Sequence, residues 1–355
     1  MPKLKYSTMV QNVVLILGIA LTLLACKKKD KVLKEDWLIP REEIKDGGPG
    51  KDGIPSVDSP QLVTASSISY LADDDLVIGV KIGNVVRAYP HPILDWHEII
   101  NDGIGTDKYS IVYCPLTGTG MSWNRKIDGV TTTFGVSGLL YNSNIIPFDR
   151  NSDSNWSQML LKSVNGDKAG KAVQVNKSLE TTWKTWQAMY PQTTVVSTNT
   201  GFNRNYENYP YGSYKTNNNL LFSITNSDTR LPKKERVAGV ISGGNARVYR
   251  FGSFADSITT INDNINGTPL VCVGSEKDNF IMIMTRVTSN GTTLIFEPIQ
   301  DSLPIVMKDG SGSRWDVMGN AVSGPRMGEQ LKFPPSYMGY WFSWAAFYPS
   351  VEIYN

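Results

Sequence analysis

Few residues in this chain of 355 have strong chemical reach: cysteines at 26, 114 and 272, and two histidines, His91 and His97. Two segments draw them together. Asp95-Trp96-His97-Glu98 puts an imidazole between carboxylates, and Cys114-Pro115-Leu116-Thr117-Gly118-Thr119-Gly120 puts a thiol before a glycine-rich turn. Backbone N–H groups of such a turn can lower a thiol pKa, and a nearby imidazole can hold it as thiolate. This chemistry makes Cys114 a candidate nucleophile with His97 as base and Glu98 as its partner. The same Cys114 and His97 can instead ligate a soft metal ion. Against this stand two plainer fates, a small buried hydrophobe and a disulfide to Cys272. A closed zinc site is not expected, because it wants four Cys/His ligands and an exported chain whose Cys26 is lipidated keeps two of each. No serine elbow, phosphate loop, zincin helix or dinucleotide fingerprint occurs, and no cofactor is evident.

A second set of residues suits binding rather than catalysis. Trp96, Trp123, Tyr206 and Tyr209 offer aromatic faces, and Thr117, Gly118, Thr119 and Gly120 offer hydroxyls and backbone N–H groups. The run Tyr206-x-x-Tyr209-Pro210-Tyr211-Gly212-x-Tyr214 either seals a seam between domains or grips a sugar by stacking.

These residues sit in an exported framework. Lys3 and Lys5 precede an apolar run from Val13 to Ala25, and Leu23-Leu24-Ala25-Cys26 resembles a bacterial lipoprotein cleavage box. Residues 1–25 read as signal peptide, with Cys26 as the lipidated (palmitate-bearing) N-terminus of an envelope protein anchored to its membrane. Residues 26–60, rich in Lys, Gly and Pro, read as a flexible tether. A formal charge of +2 gives no footprint for nucleic acid.

Self-similarity organises the rest. Val77–Tyr89 aligns without a gap on Val237–Tyr249, with six of thirteen positions identical. Asn101-Asp102, Cys114, Ser154-x-Trp156, Gly166, Gly170, Trp183 and Trp186 find partners in Asn262-Asp263, Cys272, Ser313-x-Trp315, Gly324, Gly328, Trp341 and Trp344. Repeat 1 is expected over 61–200, and the tyrosine-rich connection with repeat 2 over 201–355. Each repeat shows β-branched runs around Gly83-Asn84, Asp128-Gly129 or Asn290-Gly291, and a closing helix near Thr182–Tyr190 that Pro191 stops. The predicted fold is β-rich, all-β to α+β: two tandem, pseudo-twofold, sandwich- or barrel-like repeats, each closed by a short helix.

Several segments resemble the bacterial family called domain of unknown function 3179. They include Ala88-Tyr89-Pro90 with Leu94–Asp102, Tyr113–Gly120, Phe134–Ser143, Asp149-Arg150 with Trp156-Ser157-Gln158, and Trp341–Pro349. The resemblance covers about residue 45 to the end and implies no activity, cofactor or catalytic residue. Members resemble one another in a second cysteine after the Cys-Pro-Leu segment, and Thr117 stands there in this chain. Duplication supplies an internal control: residues serving the fold recur, and His97, Glu98 and the turn after Cys114 do not. The expectation is an envelope lipoprotein that binds a small ligand, glycan or partner protein in the cleft between its repeats. The alternative is a thiol or metal-thiolate protein built on Cys114 and His97.

Overall fold

The computed structural model describes residues 37–354. The signal peptide and Cys26 expected from the sequence lie outside the described residues.

Repeat 1 opens with a hairpin of β-branched residues, β1 (Leu76–Ile82) and β2 (Val85–Pro90), joined by Gly83-Asn84 with Gly83 at φ +57°. Pro90 then stops pairing, and Pro92 in the first turn favours a helix, α1 (His91–His97). A three-stranded meander follows: β3 (Ile99–Ile104), β4 (Asp107–Cys114) and β5 (Thr119–Asn124). Next come β6 (Phe134–Tyr141), β7 (Asn144–Asp149), β8 (Asn155–Ser157) and β9 (Lys162–Asn165). The repeat closes with β10 (Leu179–Thr182), α2 (Trp183–Met189) and β11 (Thr194–Val196). Thr182 caps α2 by accepting the Thr185 N–H at 3.3 Å, close to the start expected from sequence.

Repeat 2 reproduces this order. Its hairpin is β12 (Arg236–Ser242) and β13 (Asn245–Arg250), and its meander is β14 (Thr259–Ile265), β15 (Thr268–Ser275) and β16 (Phe280–Thr285). Then follow β17 (Phe296–Pro298), β18 (Ile305–Asp309), β19 (Arg314–Asp316) and β20 (Ala321–Ser323). It closes with β21 (Ser336–Tyr340), α3 (Trp341–Phe347) and β22 (Glu352–Ile353). Only α1 is replaced, by a single turn at Phe251–Ser253.

The polar anchors repeat as well. Arg87 and Tyr89 both donate to Asp102 Oδ2, at 2.7 and 2.6 Å, as Arg247 and Tyr249 do to Asp263 Oδ2, both at 2.6 Å. Trp156 Nε1 donates to Asp149 and Trp315 Nε1 to Asp309, each at 3.0 Å. Gly79 and Gly239 lie flat beneath Trp186 and Trp344, so close that an added Cβ would fall 2.2 Å from either indole.

The repeats are interwoven. One core joins the meander and β6–β9 region of repeat 1 (Val112, Trp123, Trp156) to the hairpin and helix of repeat 2 (Val237, Val248, Trp341, Trp344). A second joins Val77, Val86, Trp183 and Trp186 of repeat 1 to Phe280, Met282, Val306 and Trp315 of repeat 2. The main sheet crosses the same seam, because β5 pairs with β21 through Gly120 and Met338. Several open sheets with few helices are therefore the architecture, and no sheet among the described residues closes into a barrel.

Two sequence expectations need correction. Across β3–β4 Asp102 faces Tyr109, and across β14–β15 Asp263 faces Leu270, so the structural counterpart of Cys114 is Ser275. Cys272 occupies the place of Ile111, and the two cysteines are free thiols in separate cores rather than a disulfide. The ordered chain also begins earlier than Leu62. Ile44–Asp46 pairs with β6, Val57-Asp58 pairs with β3, and Ile39 packs with Ile146 and Val164. Trp37, Ile39 and Ile44 give the segment enough apolar surface to dock despite its glycines and prolines.

Candidate functional site

Helix α1 organises the chemistry of repeat 1. His91 and Asp95, one helical turn apart, share a face. At its other end the chain turns at Glu98 (φ 57°, ψ −33°), a conformation that strains a residue with a side chain. The segment between the repeats, about residues 206–226, then lies over this end of repeat 1.

The expected thiol–imidazole pair is not assembled. His97 is fully buried, with Nδ1 2.7 Å from the Pro55 carbonyl and Nε2 2.7 Å from the Tyr206 hydroxyl. Burial lowers its pKa. Cys114 is also fully buried, and its Sγ approaches the Ser143 carbonyl at 3.6 Å. Burial, then the charge of Glu98, pushes the thiol up to about 11, the opposite of activation. Nor is the turn after it an anion cradle. Thr119 donates to the Thr117 hydroxyl at 2.9 Å, Tyr340 N–H donates to the Thr117 carbonyl at 2.7 Å, and a Cβ at Gly118 would touch the Tyr340 ring. A Cβ at Gly120 would meet Ile78 at 2.5 Å, so both glycines serve close packing at the seam. Among the described residues no group of three His, Cys, Asp or Glu side chains gathers to hold a metal.

The aromatic candidates divide. Trp123 is sealed in the core, edge-on to Phe134. Trp96 is half-buried, donates to the Asn208 carbonyl at 2.9 Å and lies under Arg204. Tyr206 and Tyr209 line a cleft beside α1, together with Asp74, Asp75, His91, Asp95, Glu207 and Lys215. The cleft has a volume of about 240 Å³, a little under the usual range of drug-sized sites and suited to a smaller molecule.

Two buried polar atoms of its lining, Asp95 Oδ1 and Tyr209 Oη, have no hydrogen bond, and His91 Nε2 turns away to Glu180 Oε2 at 3.4 Å. The second oxygens are used: Lys215 Nζ reaches Asp95 Oδ2 at 2.8 Å, and Arg236 of repeat 2 reaches Glu180 Oε1 at 2.7 Å. Burial raises the Asp95 pKa, outweighing Lys215 and His91. Burial also acts on Glu180, yet Arg236 and His91 hold it below its ordinary value. Glu180 and Arg236 carried no signal in the sequence. The His91–Asp95 spacing did, once helix α1 is recognised.

A separate, small apolar pocket of about 50 Å³ opens on the other side of Glu98, lined by Ile54, Leu116, Val136, Leu140, Tyr211 and Phe222 among others. Tyr211 donates to Glu98 Oε1 at 3.2 Å. Burial raises the Glu98 pKa to about 7, only partly offset by that bond. The corresponding hollow of repeat 2, among Asp256, Lys277, Asp278 and Asp301, is wider, at about 400 Å³.

A family profile described as a protein of unknown function, DUF3179, matches residues 51–351. The chain belongs to that family. No curated protein and no solved structure matches it. The DUF3179 match takes in both repeats, the segment between them and every residue of the two cavities from Gly53 onward, so the interwoven unit is the family's own domain. What a DUF3179 protein does has to be argued from sites such as these.

Proposed function

We propose that this protein is an envelope lipoprotein that binds a small polar molecule, rich in hydroxyl or amino donors, in the cleft beside α1. One observation carries the reading: Asp95 Oδ1 and Tyr209 Oη, both in the lining of this cleft, are buried without hydrogen bonds. Each unsatisfied buried polar group costs about 1–3 kcal/mol, a cost that a ligand satisfying them would relieve. Asp95 Oδ1 is a carboxylate oxygen, and Asp74, Asp75 and Glu207 at the cleft edge add acceptors, so the complement is a donor-rich molecule such as an amino sugar or polyol. Tyr206 and Tyr209 supply ring edges to its walls. Catalysis has less support, since the thiol is suppressed and His97 is committed to Pro55 and Tyr206.

Thermal-shift measurements with a panel of neutral sugars, amino sugars, polyamines and amino acids test this. At least one class should raise the unfolding temperature of the wild type, and Asp95→Asn should lose that shift while remaining folded. Absence of any shift across the panel, or an unchanged response in Asp95→Asn, defeats the proposal. The anchor rests on Leu23-Leu24-Ala25-Cys26, and Cys26→Ser should abolish palmitate labelling and release the protein from membranes.

A further inference from the structure

We propose that the apolar pocket at Glu98 is a second binding site, independent of the polar cleft, for a small amine: one ammonium group on an apolar body. The pocket wall is Gly47, Pro49, Ile54, Leu116, Val136, Gly138, Leu139, Leu140, Ile145 and Phe222, interrupted by Glu98 and the Tyr211 hydroxyl. Glu98 is its single carboxyl, and among the described residues no Lys, Arg or His forms an ion pair with it. Its one side-chain hydrogen bond is the 3.2 Å contact from Tyr211. A buried carboxylate without a counter-charge is costly, and a cation entering from outside supplies what the fold omits. Tyr211 and Phe222 add aromatic rings to the same lining, and a ring face there attracts a cation.

Two further facts mark Glu98 as placed for use. Its backbone occupies a strained region at φ 57°, ψ −33° directly at the end of α1, and such strain persists where surrounding structure enforces it. In repeat 2 the corresponding position is Thr259, in ordinary strand conformation, and the strain is absent there. The segment carrying Tyr211 and Phe222 then closes the pocket only over repeat 1.

The titratable groups facing Glu98 are Tyr211 from the inter-repeat segment and Cys114 from β4. Burial raises both, Cys114 to about 11, so neither changes charge near neutrality. His97, next in the chain, is held by Pro55 and Tyr206. A ligand that needs the carboxylate therefore follows the titration of Glu98. With that group at about 7, apparent affinity should fall about thirtyfold from pH 8.5 to pH 5.5.

Benzylamine and its uncharged isostere benzyl alcohol are the probes, titrated calorimetrically into the full chain at about pH 8.5 and about pH 5.5. Benzylamine should bind at the higher pH and weaken about thirtyfold at the lower, whereas benzyl alcohol should bind more weakly and without that dependence. Glu98→Gln should remove the pH dependence and reduce benzylamine to the level of benzyl alcohol. Asp95→Asn, in the other cleft, should leave benzylamine binding unchanged, which separates this site from the first. Failure of benzylamine to bind at millimolar concentration, equal binding of both probes, or an unaltered response in Glu98→Gln overturns the proposal. If Glu98→Gln does not fold, Tyr211→Phe replaces it: loss of the hydroxyl donor should move the midpoint of the pH dependence upward, and an unmoved midpoint overturns the proposal.

Discussion

Replacing Glu98 by Gln isolates the energetic cost of one buried carboxyl. In the folded protein burial raises its pKa from an ordinary 4.5 to about 7, whereas in the unfolded chain it returns to the ordinary value. The folded state therefore binds the proton more tightly, and between the two values unfolding releases it. The stabilisation from this group is fully present below about pH 4.5 and is lost as pH rises through 7. At about 1.36 kcal/mol per unit, the swing is about 3 kcal/mol. Gln keeps the shape and can accept from Tyr211 but carries no charge to desolvate. Its stability relative to wild type should thus rise by about 2.5 kcal/mol from pH 5 to pH 8, whatever fixed offset its amide introduces. Urea unfolding of both proteins at several pH values measures that difference. A difference constant to within about 0.5 kcal/mol over this range would refute the account of Glu98 as a desolvated, unpaired acid.

Other substitutions probe the framework. Gly79→Ala and Gly239→Ala each force a methyl into an indole 2.2 Å away, and each should cost at least about 3 kcal/mol, read as similar falls in unfolding temperature. Cys114 and Cys272, in a Cys26→Ser background, should resist Ellman's reagent at pH 8 and react only after urea is added, because both thiols are buried with raised pKa values. Residues 61–200 and 201–355 expressed separately should each lack dispersed amide resonances, because each of the two largest cores draws more than a third of its side chains from the other fragment.

Much of the architecture was readable before any coordinates. Glycine next to Asn, a Trp-x-x-Trp pair and an Asn-Asp pair each solve a local geometric problem, so duplication preserves them at near-constant spacing. The Gly83-Asn84 turn and the start of the helix at Thr182 follow from such residues, whereas the Asp149 and Asp309 partners of Trp156 and Trp315 appear only in the structure. Cysteine misled for the opposite reason. Cys272 is a small apolar residue that fits the Ile111 position, so its type matched Cys114 while its strand register did not. The exchange of cores was invisible, since an apolar residue in a strand declares that it is buried but not which repeat buries it. Likewise Glu180 and Arg236 meet across 56 residues of separation, and no local pattern marks a carboxylate whose partner comes from the other repeat.

The two cavities share one origin. Duplicated units that exchange their cores satisfy each other's apolar faces around the seam, but that exchange does not cover the strand ends beside α1 or beside its repeat 2 counterpart, Phe251–Ser253. In repeat 2 that end stays an open hollow edged by Asp256, Asp278 and Asp301. In repeat 1 the connection to repeat 2 must pass the same place, and its tyrosines bind there through His97, Glu98 and the Leu116 carbonyl. Covering a loop end with a segment that also has to span between repeats leaves gaps on either side of its anchor points. The polar gap lies where α1 replaces a single turn, and the apolar gap lies where the Asn142-Ser143 turn is buried beneath Phe222. Repeat 1 thereby acquired both a donor-seeking cleft and an unpaired acid from the connection itself, while the scaffold of each repeat stayed the same.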